Sequence, residues 1–327
     1  MGIGPRLDQT AARGTGSTAA EPAISGSPSS AANGRKEGDK PPQPLSFVPV
    51  APKYAFSDLI LPAKTMEAIR TALAVKEKGD LVFGKWGLSQ THKHARKVGI
   101  NLYGPPGTGK TMAAHAIADR LNKKLLAINY ADIESKYVGD TPKNLTKAFQ
   151  TAEETDSILF FDEADAILSR RVTNMNNATD TSVNQTRSVM LTLLNDYRGV
   201  ILFTTNYISN FDPAFMRRIL AHIEFELPDE EGRVKLLRKL IPADMPHDIR
   251  IEEAARAFDG ISGSDISNAI LVAAFKGANS PEERVKHEYL VEALESIKKS
   301  IQANQGHVTV ETRQVSEDYV KRQLGVQ

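Results

Sequence analysis

The stretch "GPPGTGKT", Gly104 to Thr111, constrains this chain more than any other. It fits the pattern G-x-x-x-x-G-K-[ST]. It follows the apolar run "INLY" and opens "TMAAHAIADRL", in which Ala113, Ile117 and Leu121 share one helical face. A strand, a glycine-rich turn and a helix in that order form a cradle for phosphate. The glycines let backbone N–H groups turn inward, and the helix N-terminus adds positive potential. Gly104, Pro105, Pro106, Gly107, Thr108 and Gly109 make the loop, Lys110 can reach the β- and γ-phosphates of a nucleotide, and the Thr111 hydroxyl can ligate Mg²⁺.

A phosphate loop needs a sheet behind it, and the surrounding pattern supplies one. Short apolar runs recur at "VGINLYG", "KLLAINY", "SILFFDEAD", "GVILFTTN" and "HIEFEL", with helix-period segments between them. In one such segment Val189, Met190, Leu193, Leu194 and Tyr197 fall on one face, and another is expected to start at Pro142. Fully apolar strands alternating with helices predict an α/β fold with a mainly parallel sheet covered on both sides. After Pro228 the strands largely stop. "SGSDISNAILVAAFKGA" opens with a Ser262-x-x-Asp265 cap and sets Ile266, Ile270, Ala273 and Ala274 on one stripe. "SPEERVKHEYLVEALESIKK" predicts a helix capped by Ser280, with Pro281 in its first turn and Glu283 completing the box. The expected organisation is a Gly/Ala/Ser/Pro-rich tail over 1–51, an α/β nucleotide-binding part over 52–227 and a smaller helical part over 228–327.

Composition narrows the function classes. The tail has almost no large apolar residue and is expected to be disordered. Arg6 and Arg13 permit a transit peptide, but frequent Gly and Pro oppose the helix it needs, and "MGIGPR" lacks the Ser or Thr of a myristoylation signal. The 41 Lys and Arg residues nearly balance the 40 Asp and Glu, so bulk charge favours neither nucleic acid nor an anionic membrane. There is no cysteine, hence no disulfide framework or zinc–thiolate site, and no apolar run approaches a membrane span. A cytoplasmic location is expected. His92 and His94 in "THKH" lack visible partner ligands and read as a surface loop.

Two further strand ends carry chemistry. In "ILFFDEAD" four apolar residues precede Asp162 and Glu163. Ligands of open α/β sheets bind at the carboxyl ends of strands. Asp162 there suits a Mg²⁺ shell, and Glu163 can polarise an attacking water. Without the phosphate loop, such paired acids would read as solubility caps. In "LFTTN", Asn206 ends another apolar strand with an amide that both donates and accepts, although an Asn in that place also starts ordinary turns.

These parts, with "SKYVGDTPKNL", "DPAFMRRI", "ELPDEEGR" and "GISGSDI", stand in an order that resembles the AAA ATPases from about Phe56 to Leu324. The resemblance implies an α/β nucleotide domain of the P-loop NTPase class with a helical lid. It also implies ATP and Mg²⁺ as cofactors, a homo-hexameric ring, and ATP-driven remodelling of a protein substrate. It makes Asn206 a sensor, seats the adenine at Leu59 and Ile60, and brings Gly263 of the lid near the base. It makes Arg217 or Arg218 a finger that reaches a neighbour's γ-phosphate, worth roughly 10³–10⁵ in rate. By the residue alone, Tyr137 in "ESKYVGDT" reads as a tyrosine packed on its own domain. In a ring of this family the same loop lines the central pore, where Tyr137, with Lys136 and Val138, would grip an extended polypeptide. "TNMNNATDTS" (173–182) reads as a second pore loop or a surface loop, and Arg170–Arg171 as a solvated pair.

The chain departs from the common family pattern at "FSDLILPAKT", with Leu61-Pro62, and at "FGKWGL", with its single tryptophan, Trp86. Both resemble a bacterial branch. Two narrower identities share this architecture. One is the HORMA-domain remodellers related to pachytene-checkpoint ATPases, which include antiphage operons; the other is the ATPase of contractile injection systems. Ser264 stands where the HORMA remodellers often place an arginine, which weakens that match, yet it is the one favoured. A DNA-acting AAA motor would want basic pore loops and uneven charge.

Overall fold

The computed structural model describes residues 46–92, 98–129, 133, 140–169, 178–208 and 211–305. Tyr137, Lys136, Val138, His94, Arg170 and Arg171 lie outside them, as does nearly all of the expected tail. The chain runs through α1 (Ala63–Glu77), β1 (Val98–Tyr103), α2 (Lys110–Arg120), β2 (Leu125–Asn129), α3 (Asp140–Glu154), β3 (Ile158–Asp162), α4 (Asp165–Leu168), α5 (Ala178–Asp196), β4 (Val200–Thr205), α6 (Pro213–Met216) and β5 (Ala221–Glu224). Four helices follow: α7 (Glu230–Leu240), α8 (Ile251–Ala257), α9 (Gly263–Ala278) and α10 (His287–Gln305).

The five strands form one parallel sheet in the order β2-β3-β4-β1-β5. Successive side chains on a strand point to opposite faces. On β3, Leu159 and Phe161 enter one core with Phe149 of α3 and Met190 of α5. Ile158 and Phe160 enter the other, with Ile69 and Leu73 of α1 and Ile117 of α2. The apolar runs are continuous because both faces are covered, as a parallel sheet requires. Phe161 and Phe203 stack across β3 and β4 with ring centroids 5.6 Å apart. The last four helices have their own core, built on Leu237, Ala255, Ile266, Ala269, Ala273, Leu290 and Leu294. The expected α/β sheet followed by a helical part is what the chain adopts.

The structure corrects three local expectations. Helix α3 starts at Asp140, so Pro142 sits inside its first turn, where a missing N–H costs nothing. Residues 178–182 of the polar run "TNMNNATDTS" belong to α5 and not to a loop. Ser280 does not cap α10. Its hydroxyl donates to the Gly277 carbonyl at 2.7 Å, finishing α9, and the chain then turns through Glu283 at φ 46°. Asp248, 39 positions away, takes the capping role by accepting the His287 N–H at 2.6 Å. Within the expected tail, Phe47 packs against the first core, and Val50 exchanges two 2.9 Å backbone hydrogen bonds with Leu125 on the edge strand.

Candidate nucleotide site

The strand order places β1 beside β4 and β4 beside β3, so the carboxyl ends of all three open at one sheet edge. The phosphate loop leaves β1 there. Gly104 and Gly107 have φ of 142° and 76°, a region that favours glycine. A Cβ on Gly104 would run into the Phe225 carbonyl, and one on Gly107 into the Ser262 hydroxyl. Thr108 Oγ1 tightens the loop by donating to the Pro105 carbonyl at 2.8 Å. Helix α2 then begins at Lys110 with Gly109 as its N-cap.

Lys110 Nζ donates to the carbonyls of Gly104 and Pro105, both at 2.8 Å, and to Asn206 Oδ1 at 3.0 Å. Burial lowers its pKa, while Asp162 and Asp165 pull the other way. Asn206 is thus held by the same ammonium that serves the loop, which links β4 to β1. Thr111 Oγ1 donates to the Asp162 carboxylate at 3.1 and 3.3 Å. The pair offers a hydroxyl and a carboxylate oxygen side by side. Among the described residues no group of three or more His, Cys, Asp or Glu is placed to hold a metal ion. Two protein oxygens with the rest of the shell left to phosphate and water is how Mg²⁺ is usually held, so the donor set fits that cation.

Sequence reasoning missed the residues that fix these acids. The Thr204 hydroxyl donates to Asp162, and the Thr205 hydroxyl donates to Asp165. The Glu163 N–H donates to Thr204 Oγ1 at 3.0 Å, and the Ala164 N–H donates to the Thr204 carbonyl at 2.9 Å. The threonines of "TTN" therefore lock the end of β3 to β4; the signal was the repeated hydroxyl at a strand end. Glu163 turns away from the strand at φ 51° with its side chain exposed in the cavity.

That cavity has a volume of about 1260 Å³. Leu59, Ile60 and Pro62 border it on one side, the phosphate loop and Asp162, Glu163 and Asn206 on another, and Gly263 and Ser264 on the lid side. The Ser264 N–H donates to the Gly107 carbonyl at 3.2 Å, so Gly263 lies over the phosphate loop at the start of α9. The Ser262–Asp265 capping box forms as the sequence predicts.

Neither Arg217 nor Arg218 lines this cavity. Arg218 is tied within its own chain: Nε donates to Asn195 Oδ1 at 2.9 Å and a terminal nitrogen to the Ala214 carbonyl at 2.7 Å. Arg217 is exposed; its N–H donates to the Pro213 carbonyl at 3.3 Å, and among the described residues its guanidinium has no hydrogen-bond or ion-pair partner.

Comparison with known proteins agrees with this geometry. Residues 100–227 match the ATPase family associated with various cellular activities (AAA). The chain is 31% identical over 259 residues to a proteasome-activating nucleotidase of Archaeoglobus fulgidus, covering 76% of this chain and 63% of that protein. It is 34% identical over 213 residues to 26S proteasome regulatory subunit 6A of Saccharomyces cerevisiae, covering 61% and 48%. It is 31% identical over 230 residues to Protein CdcH of Halobacterium salinarum, covering 66% and 31%. The chain thus spans less than two thirds of the length of each of these relatives. The phosphate loop, the Thr111–Asp162 pair and the sheet-edge asparagine all fall within the matched stretch, and the chain carries an AAA ATPase domain.

Proposed function

We propose that this chain is an ATPase subunit of a homo-hexameric ring that remodels or unfolds protein substrates by drawing them through a central pore. The observation that carries the reading is the convergence of Lys110, the Thr111–Asp162 pair, Glu163 and Asn206 on one cavity at the sheet edge. Bound Mg²⁺·ATP supplies the γ-phosphoryl group and the cation that neutralises it. The loop amides and Lys110 hold the phosphates. Thr111 and Asp162 hold the cation. Glu163 polarises the attacking water, and Asn206, steadied by Lys110, orients it. Leu59, Ile60 and Gly263 enclose the base. Arg217 and Arg218 act on a neighbour's γ-phosphate, and Arg217 is the freer of the two. The proteasomal names of the relatives support a protein substrate, and Tyr137, with Lys136 and Val138, is the grip we assign to it.

A pair of variants tests the division of labour. Lys110→Ala should lose ATP binding, whereas Glu163→Gln should bind ATP normally and hydrolyse it very slowly. Equal loss of affinity in both would refute the assignment. Tyr137→Ala should keep ATP hydrolysis and assembly but lose unfolding of a protein substrate.

The finer reading is a bacterial HORMA-domain remodeller working in antiphage defence in the cytoplasm. Leu61-Pro62 and Trp86 favour a bacterial AAA branch without choosing within it, and Ser264 counts against the HORMA reading. Among the described residues no helix is long and apolar enough to cross a membrane. Proteins captured by a Glu163→Gln ring and identified by mass spectrometry decide the matter. A HORMA-domain protein supports this reading, and a sheath component moves it to an injection-system ATPase. ATP turnover stimulated by nucleic acid would instead favour a DNA motor.

A further inference from the structure

Leu59 and Ile60 follow one turn of 3-10 helix, Phe56–Asp58, and the carboxylate of Asp58 is used twice. Its Oδ2 accepts the Ala55 N–H at 2.9 Å, which closes the turn. Its Oδ1 accepts from Lys239 Nζ at 2.8 Å, and the same ammonium donates to the Asp58 carbonyl at 3.0 Å. Lys239 belongs to the last turn of α7, the first helix of the lid. One lysine of the lid thus grips both the side chain and the backbone of the residue that precedes the apolar pair. Asp58 and Lys239 both border the cavity.

The turn is also fixed from behind by the helix that starts at the phosphate loop. The Phe56 N–H donates to Asp119 Oδ2 at 3.0 Å, and the Arg120 guanidinium lies 4.8 Å from the Phe56 ring centroid. Leu59 and Ile60 are therefore suspended between α2 and the lid. The side toward α2 is held by a packed ring and a backbone hydrogen bond, and the side toward the lid by one ammonium.

We infer that Asp58 and Lys239 are positioning residues for the nucleotide base, because they tie the turn that presents Leu59 and Ile60 to the docked lid. This rests on reading the cavity as a nucleotide site. The Lys239 hydrogen bond, followed by that from Ala55, lowers the Asp58 pKa and keeps the carboxylate charged. Both side chains are about two-fifths exposed, so water competes for the pair. It is a light tie. Its effect falls on the base, while the phosphates depend on Lys110 and the loop amides. The cavity then has a phosphate half held by Lys110 and the loop amides and a base half that depends on the tie between the turn and the lid.

The test compares two probes on the full chain by calorimetry: ATP with Mg²⁺, using the Glu163→Gln background to prevent turnover, and inorganic tripolyphosphate. Lys239→Met removes the tie. Asp58→Asn removes its charge and keeps an acceptor for the Ala55 N–H. Each should weaken ATP binding about three- to fivefold, the scale of one exposed ion pair. Each should leave tripolyphosphate binding unchanged, and Lys239→Arg should restore ATP binding. In the hydrolysing protein the change should appear in KM and not in kcat. Native ATP affinity in Lys239→Met, or an equal loss for ATP and tripolyphosphate, would overturn the inference alone. A parent chain that binds neither probe would overturn the nucleotide site and this inference with it.

Discussion

Arg217 and Arg218 are neighbours in sequence and differ in what holds them. Arg218 braces the turn after α6 against α5 through Asn195 and the Ala214 carbonyl. Arg218→Ala should therefore lower the melting temperature by an amount corresponding to about 1 kcal/mol, the usual worth of such hydrogen bonds. Arg217→Ala should leave the melting temperature unchanged and reduce assembled ATPase activity by roughly 10³-fold or more if it is the trans finger. Mixing Arg217→Ala chains with Lys110→Ala chains should recover part of the turnover. Mixed assemblies without recovery would place the finger elsewhere. The doublet was visible in the sequence, but the difference between its members was not, because Asn195, which holds only Arg218, lies on another element.

At the scale of elements, Gly277 shows what a helix end must leave room for. A Cβ there would come within 2.9 Å of the Arg284 carbonyl oxygen and of Val285 Cα. Those atoms are backbone, held by the Val285 N–H to the Pro246 carbonyl at 2.9 Å, and cannot swing aside. Gly277→Ala should cost about 1–3 kcal/mol, as overpacking does. Thermal unfolding of the variant checks it, and an unchanged transition would contradict the packing. The same segment explains why the start of α10 was misread. Ser280, Pro281 and Glu283 make a persuasive local cap, but the chain is committed to pairing Val285 with His247 and takes its cap from Asp248. The strands were legible because burial on both faces writes itself as continuous apolar runs. The capping box at Ser262 was legible because both partners lie within one turn. Long-range caps leave no such mark.

At the scale of the whole molecule, the phosphate loop and the two strand ends could be read from sequence, and the ties that draw lid and sheet together could not. Asp58, Lys239 and Ser264 are ordinary polar residues until the fold brings them to one cavity. Acid sensitivity is likewise a property of the folded chain. Burial is the main cause that pushes both His115 and His222 below the ordinary histidine pKa. The unfolded chain then binds more protons than the folded one as pH falls below about 6.5, so stability is full above that value and declines toward the folded pKa values. The melting temperature should be lower at pH 5.5 than at pH 7.5. His115→Gln, which can still accept the Lys53 N–H, should flatten that slope.

Glu163 sits at φ 51°, a backbone conformation that costs a non-glycine residue about 1–3 kcal/mol. A glycine there would escape most of this strain and could never polarise water. Glu163→Gly should therefore melt above Glu163→Ala, with both inactive. A search for heat-resistant variants that ignored turnover would drift toward the dead protein, and one that demanded turnover would keep returning to the less stable residue.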